Sequence, residues 1–283
     1  MNKTSKVNKT PFSMNLRTKT LLIIGLTALL LLLIVISSLL IDSTNILTNF
    51  SIMNQPPSFE HLFGTDWMGR DMFERTVKGL GLSIQIGAGA SILSSIIAIL
   101  LAILSSVNKY LDSFVAWLVD VFLSIPHILL IILISIALGG GAFGVIMGVA
   151  FTHWTSLTRV LRAEIKQIQS SEFVQLSRNF GKSKLWIART HILPLIVTQI
   201  IVGTILIFPH AIMHEASVTF LGFGLSPHEP AIGIILSESM KYLATGNWWL
   251  AIFPGISLLI VVLLFDLIGE NIKKILDPTS AHD

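Results

Sequence analysis

Residues Leu21–Ile41 run for 21 positions without a charge. Coiled as an α-helix at 1.5 Å per residue, such a run reaches roughly 31 Å, the thickness of a bilayer's hydrocarbon core. In lipid every backbone N–H and C=O has to find its partner within the protein, so a spanning segment of this kind is helical. Five more apolar runs follow: Leu80–Val107, Val121–Leu138, Gly140–Leu157, Ile192–Met213 and Trp249–Leu264. The expected fold is an all-α polytopic membrane protein with six transmembrane helices. Pro126 and His127 interrupt the third run, and Pro194, Pro209 and His210 lie in the fifth. Pro254 is expected to kink the sixth, with a neighbouring helix satisfying the carbonyl it frees.

Charged residues make up 12% of the 283 positions and hydrophobic ones 53%. A soluble domain carries about 25% charged residues, so this chain has too little polar surface for a soluble enzyme. Disorder is excluded by the abundance of apolar side chains. A cleavable signal peptide has an apolar region of about 7–15 residues ahead of a small-x-small site. The first run is longer and lacks that site, so a retained first span is expected. Cysteine is absent, which leaves no disulfide framework or thiolate metal site. The net charge of +3 informs orientation rather than nucleic-acid binding.

Lys and Arg concentrate on the cytoplasmic side of membrane proteins. With the N-terminus inside, the inner segments hold 15 of them, including Lys3, Lys6, Lys9, Arg17 and Lys19 and seven between Arg159 and Arg189. The outer segments hold 4: Arg70, Arg75, Lys78 and Lys241. An N-in, C-in topology is expected. Small residues recur every four positions in the second run (Ser83, Gly87, Ser91, Ser95, beside Ala90, Ser94, Ala98, Ala102) and in the fourth (Gly140, Gly144, Gly148, Thr152, Ser156). Such rows let helix backbones approach closely in lipid. They fit ordinary packing within one bundle first, and a seam between two subunits is the sharper alternative.

The inner segment Arg159–Arg189 carries seven basic residues against Glu164 and Glu172. Within it, residues 171–181 read as a short helix. Ser171 can cap the start, Glu172 suits the positive end of the dipole, and Gly181 suits the left-handed residue after the last turn. Phe173, Leu176 and Phe180 share one face. An apolar stripe on a basic, water-facing segment needs a cover: lipid, the protein's own bundle, or a partner.

Gln175-Leu-Ser-Arg-Asn-Phe-Gly181, nine residues, then His191-Ile-Leu193-Pro194 resembles the EAA loop of bacterial ABC importer permeases, E-A-A-x3-G-x9-I-x-L-P. Gly181, Leu193, Pro194 and all the spacings match. Gln175, Leu176 and Ser177 replace the Glu-Ala-Ala core, and His191 stands where the motif has Ile. Residues 62–71, which include Gly64, Thr65, Asp66, Gly69, Arg70 and Asp71, resemble the LGTDxxGRD segment of the dipeptide/oligopeptide/nickel permeases. Asp120–Pro126 resembles their DxxxSIP pattern, Glu215–Gly224 their EASLSFLGLG stretch, and Leu267–Pro278 their LGDxLRDxLDP end. The likeness runs from about residue 16 to 278 and is greatest to the C-type subunit of such systems.

The resemblance implies a permease core at 79–270 with the EAA-type loop at about 159–194. It is preceded by a basic cytoplasmic N-terminus (1–20) and by the first span with its outer loop (21–78), and followed by a cytoplasmic tail (271–283). It implies a bacterial plasma-membrane subunit without its own ATPase site, and the chain has no GxxxxGK[ST] P-loop. Two cytoplasmic ATPase subunits would bind ATP, so no cofactor is expected on this chain. A second, homologous permease subunit would complete a heterodimer. A solute-binding protein would meet the outer face formed by Asp42–Lys78 and His214–Trp248, and no nucleic-acid partner is implied. In that family the EAA loop is a coupling helix seated on the ATPase; by this likeness Glu172, Phe173, Leu176, Phe180, Gly181, Leu193 and Pro194 form the coupling element. Implied substrates are peptides, nickel or metal chelates. Asp66, Arg70 and Asp71 are read as a solvated local brace of the outer loop rather than as ligands.

His210 and His214 are four apart at the expected outer end of the fifth span, followed by Glu215; they are candidate pathway contacts. Val218 stands where HExxH needs its second His, so a zinc protease is excluded and no metal site is assigned. His127 and His153 are expected to be hydrogen-bonded inside the bundle. A standalone secondary transporter or channel is the competing reading, but it needs intramembrane charges, and no acidic residue sits mid-span in the six runs.

Overall fold

The computed structural model describes residues 16–41 and 47–276. Lys3, Lys6, Lys9, Asp42, Asp277 and Pro278, which figure in the sequence reading, lie outside these residues. The described residues are helical, with one isolated β-bridge between Thr65 and Asp71. The helices are α1 (Leu16–Leu40), α2 (Met72–Ser105), α3 (Lys109–Ser124), α4 (His127–Ala137), α5 (Gly141–Ser170), α6 (Glu172–Asn179), α7 (Lys184–Ile187), α8 (Leu193–Phe220), α9 (Ile232–Leu243) and α10 (Trp249–Leu276). α2 is the centre of the bundle. It packs on α1, α5 and α8, and α10 closes the far side against α1, α8 and α9.

Among the described residues four helical stretches are long and apolar enough to cross a membrane: Arg17–Leu40, Met72–Ser105, Lys184–Phe220 and Trp249–Leu276. The third expected span is not one straight helix. α3 and α4 meet at 95°. Pro126 causes the break: it has no N–H to donate and disfavours a helical residue before it, and Ile125 is extended at φ −94°, ψ 134°. The fourth expected span lies within the 30-residue α5, which is less apolar than the other four. Its Thr152, His153, Trp154, Thr155 and Thr158 lower the mean hydropathy, and four of the five are buried against other helices.

Charges set the expected ends, and they make the runs shorter than the helices. α2 begins at Met72 rather than Leu80 because Arg75 is neutralised inside the protein. α5 continues to Ser170, so residues 159–170 of the segment expected as an inner loop belong to this helix. This extension is held to α3 by Arg162 and Lys166 on Asp112, and by Arg159 on Asp120 at 3.2 Å.

The small-residue rows are covered from within the chain. A Cβ on Gly148 would stand 2.8 Å from Ile131 O, one on Gly144 2.7 Å from Ser135 O, and one on Gly87 2.6 Å from Ile212 Cγ1. Ser83, Ser91, Ala90, Ser94 and Ala98 are all buried. Pro254 lies inside α10, and the carbonyl of Leu250, four residues back, accepts a bond from Ser239 Oγ of α9 at 2.7 Å. The neighbouring helix satisfies it, as lipid burial requires.

Gly148→Leu is expected to lower stability by about 1–3 kcal/mol through overpacking against α4. Gly89→Ala, whose nearest neighbour is Ile146 at 3.6 Å, is expected to be tolerated. Thermal unfolding of the detergent-solubilised variants checks both.

Candidate functional site

Three groups of expected site residues occupy three places. The first is the inner end. α6 follows α5 after one residue. The Ser171 hydroxyl does not cap α6 as expected; it donates to Ile168 O at 2.6 Å and closes α5 instead. Glu172 opens the helix. Gly181 follows the last turn at φ +76°, a left-handed conformation that disfavours a side chain. Val174 faces inward and is fully buried, whereas Phe173 is 44%, Leu176 55% and Phe180 80% exposed. The chain's own bundle therefore does not cover the apolar stripe.

The inward side of this hairpin is anchored. Val174, Ile187 and Ile192 join one continuous apolar cluster with Ala98 and Ala102 of α2, Val115 and Val119 of α3, Leu161 of α5 and Ile196 of α8. Gln175 Nε2 donates to Ser170 O at 2.9 Å. The two departures from the EAA pattern meet each other: Ser177 Oγ lies 2.9 Å from His191 Nε2. The His191 ring is edge-on to Phe173 and Trp186, at 5.3 and 5.2 Å between centroids. His191 lies in a π-helical turn, Ala188–Ile192, that leads into α8, and the Leu193 N–H reaches Ala188 O five residues back. Pro194 cannot donate and its ring crowds the carbonyl four residues earlier; the widened turn accommodates it. Leu193 and Pro194 are exposed at this junction. The Ser177–His191 contact could not be read from spacing, although the simultaneous change at both positions was its only trace in the sequence.

The second place is the outer loop. Its expected residues come together, but the pairs are buried rather than solvated. Asp66 has no exposed surface and Arg75 is 3% exposed. Asp66 Oδ2 accepts from Arg70 Nε at 2.6 Å and from Arg75 NH1 at 2.7 Å, while Oδ1 accepts from the Met68 and Arg70 N–H groups at 2.8 and 2.9 Å. Glu238 of α9 takes Arg75 NH2 at 3.0 Å and lies 3.4 Å from Arg70 NH2. Glu238, which sequence reasoning missed, is 168 residues from Arg70 and carries no motif signal. Thr65 Oγ1 donates to Ile52 O and accepts from Gln55 N–H at 2.9 Å. Asp71 caps α2 through the Phe73 and Glu74 N–H groups and pairs with His61 Nδ1 at 2.8 Å. Gly64 and Gly69 both have positive φ, and a Cβ on Gly69 would collide with Asn49 O. Trp67 stacks on Tyr242 of α9 at 4.6 Å.

The third place is the middle of α8. His210 and His214 are not at the end of this helix, which continues to Phe220. The two do not form a set with Glu215. Glu215 is fully buried and accepts from Thr219 Oγ1 at 3.0 Å. His210 is exposed. The His214 ring instead meets His153 of α5 at 4.9 Å and His127 of α4 at 6.4 Å, and His127 and His153 are 5.5 Å apart. His153 Nδ1 lies 3.1 Å from Val149 O, as expected for a bundle histidine, but the buried His127 Nδ1 has no partner. No group of three or more His, Asp or Glu side chains among the described residues is arranged to hold a metal ion.

Residues 94–280 match the family profile described as binding-protein-dependent transport system inner membrane component. A dipeptide transport system permease protein, DppC, of Alkalihalophilus pseudofirmus is 33% identical over 266 residues, covering 93% of this chain and 87% of that protein. The oligopeptide transport system permease protein OppC of Bacillus subtilis is 31% identical over 232 residues, covering 82% and 76%. Among solved structures, an inward-facing conformation of the MetNI methionine ABC transporter aligns with a TM-score of 0.61 at 19% identity, covering 73% of this chain and 98% of that chain.

Asp66→Ala leaves the buried Arg75 and Arg70 without their shared carboxylate. The expected loss of stability is about 3–5 kcal/mol, and it is read by thermal unfolding of the purified variant against the wild-type chain.

Proposed function

This chain belongs to the family of binding-protein-dependent transport system inner membrane components, multi-pass proteins of the bacterial plasma membrane, and we propose that it is the permease subunit of an ATP-driven peptide importer. Peptide as the substrate class is supported by relatives named as dipeptide and oligopeptide permeases. Nickel or a metal chelate is the alternative substrate; no metal-holding cluster among the described residues favours it.

The observation that carries the proposal is the exposed apolar stripe of α6 on a rigidly anchored hairpin. An isolated surface helix that shows Phe173, Leu176 and Phe180 to water while burying Val174 presents an engagement face. The occupant proposed is a cytoplasmic ATPase subunit. Closure of an ATPase pair would push α6. The push passes through Val174, Ile187 and Ile192 into α2, α3, α5 and α8 as one packed body, and swings the bundle between inward-open and outward-open states. Six spans with both termini inside complete this reading: α5 crosses as the sixth, shielded by its neighbours, and the excess of inner Lys and Arg sets the orientation. A second permease subunit would share the pathway, and a solute-binding protein would dock on the braced outer loop and α9.

Phe173→Asp places a charge in the proposed contact, and Gly181→Pro blocks the turn after α6. Both are expected to insert in the membrane normally and to lose ATP-dependent uptake of labelled dipeptide by more than about tenfold, the effect of roughly 1.4 kcal/mol or more at the contact. Wild-type uptake by both variants overturns the coupling role. In mild detergent the wild-type chain is expected to co-purify with an ATPase, and Phe173→Asp to lose it; a lone chain that transports in liposomes overturns the importer reading.

A further inference from the structure

The histidines of α4, α5 and α8 are used by nothing described so far. His127, His153 and His214 come from three helices and bring their rings to within 4.9–6.4 Å of one another. They sit at a helix break. From His127 to the end of α4 is 11 residues, about 16 Å at 1.5 Å per residue, or about half of a hydrocarbon core. The cluster is not sealed inside the chain. The three histidines are only half-buried, and Ser156, one turn from His153, and His210, one turn from His214, are exposed on the same helix faces. Imidazoles at mid-depth are poorly placed against acyl chains; such groups face a bundle interior or a water-filled cavity. This face of α4, α5 and α8 is therefore the side that looks onto the pathway.

His127 and His214 are the donors the cluster offers, because His153 Nδ1 already meets Val149 O at 3.1 Å. No acidic side chain among the described residues hydrogen-bonds to His127, His153, His210 or His214. The nitrogens do not converge as metal ligands. His127 Nδ1 is buried without a partner. His127 also begins α4, whose cap Pro126 has no side-chain bond to give; the Leu129 and Leu130 N–H groups reach Pro126 O, and those of His127 and Ile128 are open at the positive end of the helix dipole. Broken helices that present such an end at mid-membrane suit anionic groups of a substrate.

We propose that His127 and His214, with the open start of α4 and with His153 packed against them, form a transient carboxylate-binding station in the translocation pathway, which takes the C-terminal carboxylate of a passing peptide. Every linear peptide carries that group whatever its side chains, so the station tolerates any sequence. This rests on the peptide-importer reading.

The chain has no cysteine, so single reporters are clean. Ser156→Cys and His210→Cys, with Leu29→Cys on α1 as a control, are placed in the assembled transporter in nanodiscs without binding protein. They are then exposed to a charged, membrane-impermeant methanethiosulfonate. Labelling is expected at 156 and 210 and not at 29. Millimolar alanyl-alanine is expected to slow it, and alanyl-alanine amide is not. His127→Asn with His214→Asn is expected to raise the dipeptide concentration needed by about tenfold, the effect of one lost charge-assisted hydrogen bond. If that variant fails to assemble, the comparison of acid with amide in the wild-type background decides alone. No labelling at 156 and 210, equal protection by acid and amide, no protection by either, or protection by nickel ion alone overturns the station. Failure of the intact transporter to take up alanyl-alanine overturns the importer reading instead; normal uptake without protection removes only the station.

Discussion

Close approach of backbones through small side chains is what the rest of this structure depends on. In lipid there is no hydrophobic force between helices, so they adhere by contact and by satisfied polar groups. Gly144 and Gly148 bring α5 against the backbone of α4, and Gly87 admits Ile212 of α8 against α2. With α2, α4, α5 and α8 at that spacing, the bundle can accommodate a broken helix and a buried serine hydroxyl that serves a proline-freed carbonyl. Larger residues in those rows would force the helices apart and open the polar groups to hydrocarbon.

The two ends of the bundle are built on different physics. At the end that carries α6 the hairpin is held mainly by apolar contact, with the Ser177–His191 and Gln175–Ser170 bonds beside it. Its outward side is bare. At the outer end the loop is held by buried charge: Asp66 and Glu238 share Arg70 and Arg75. Apolar contact is non-directional and suits a hairpin proposed to transmit a push, whereas a buried ionic network is directional and fixes one geometry.

Much of this was legible in the sequence. The apolar runs located α1, α2, α8 and α10, and the turn chemistry of residues 171–181 located α6, because both signals are local. The errors trace to long-range pairing. Ending a span at the first charge fails where, as for Arg75, the partner is Glu238 on a distant helix. Hydropathy undercounts α5 because its threonines and Trp154 are hidden by other helices rather than by lipid. The bend at Pro126 was marked by the residue but not by its size, since proline only removes a bond and packing chooses the angle. The grouping of His214 with His127 and His153 instead of with Glu215 follows from which faces of three helices meet, and no spacing in one chain encodes that.

The outer ionic network has a mechanical consequence. Because the same two guanidinium groups are gripped from both sides, the segment ahead of α2 and the amphipathic α9 are riveted into one plate, with the Trp67–Tyr242 stack as a second fastener. A load applied anywhere on that plate is delivered as torque to the ends of α2 and α10 together, so this surface rides on the bundle as a rigid cap instead of flexing independently of it.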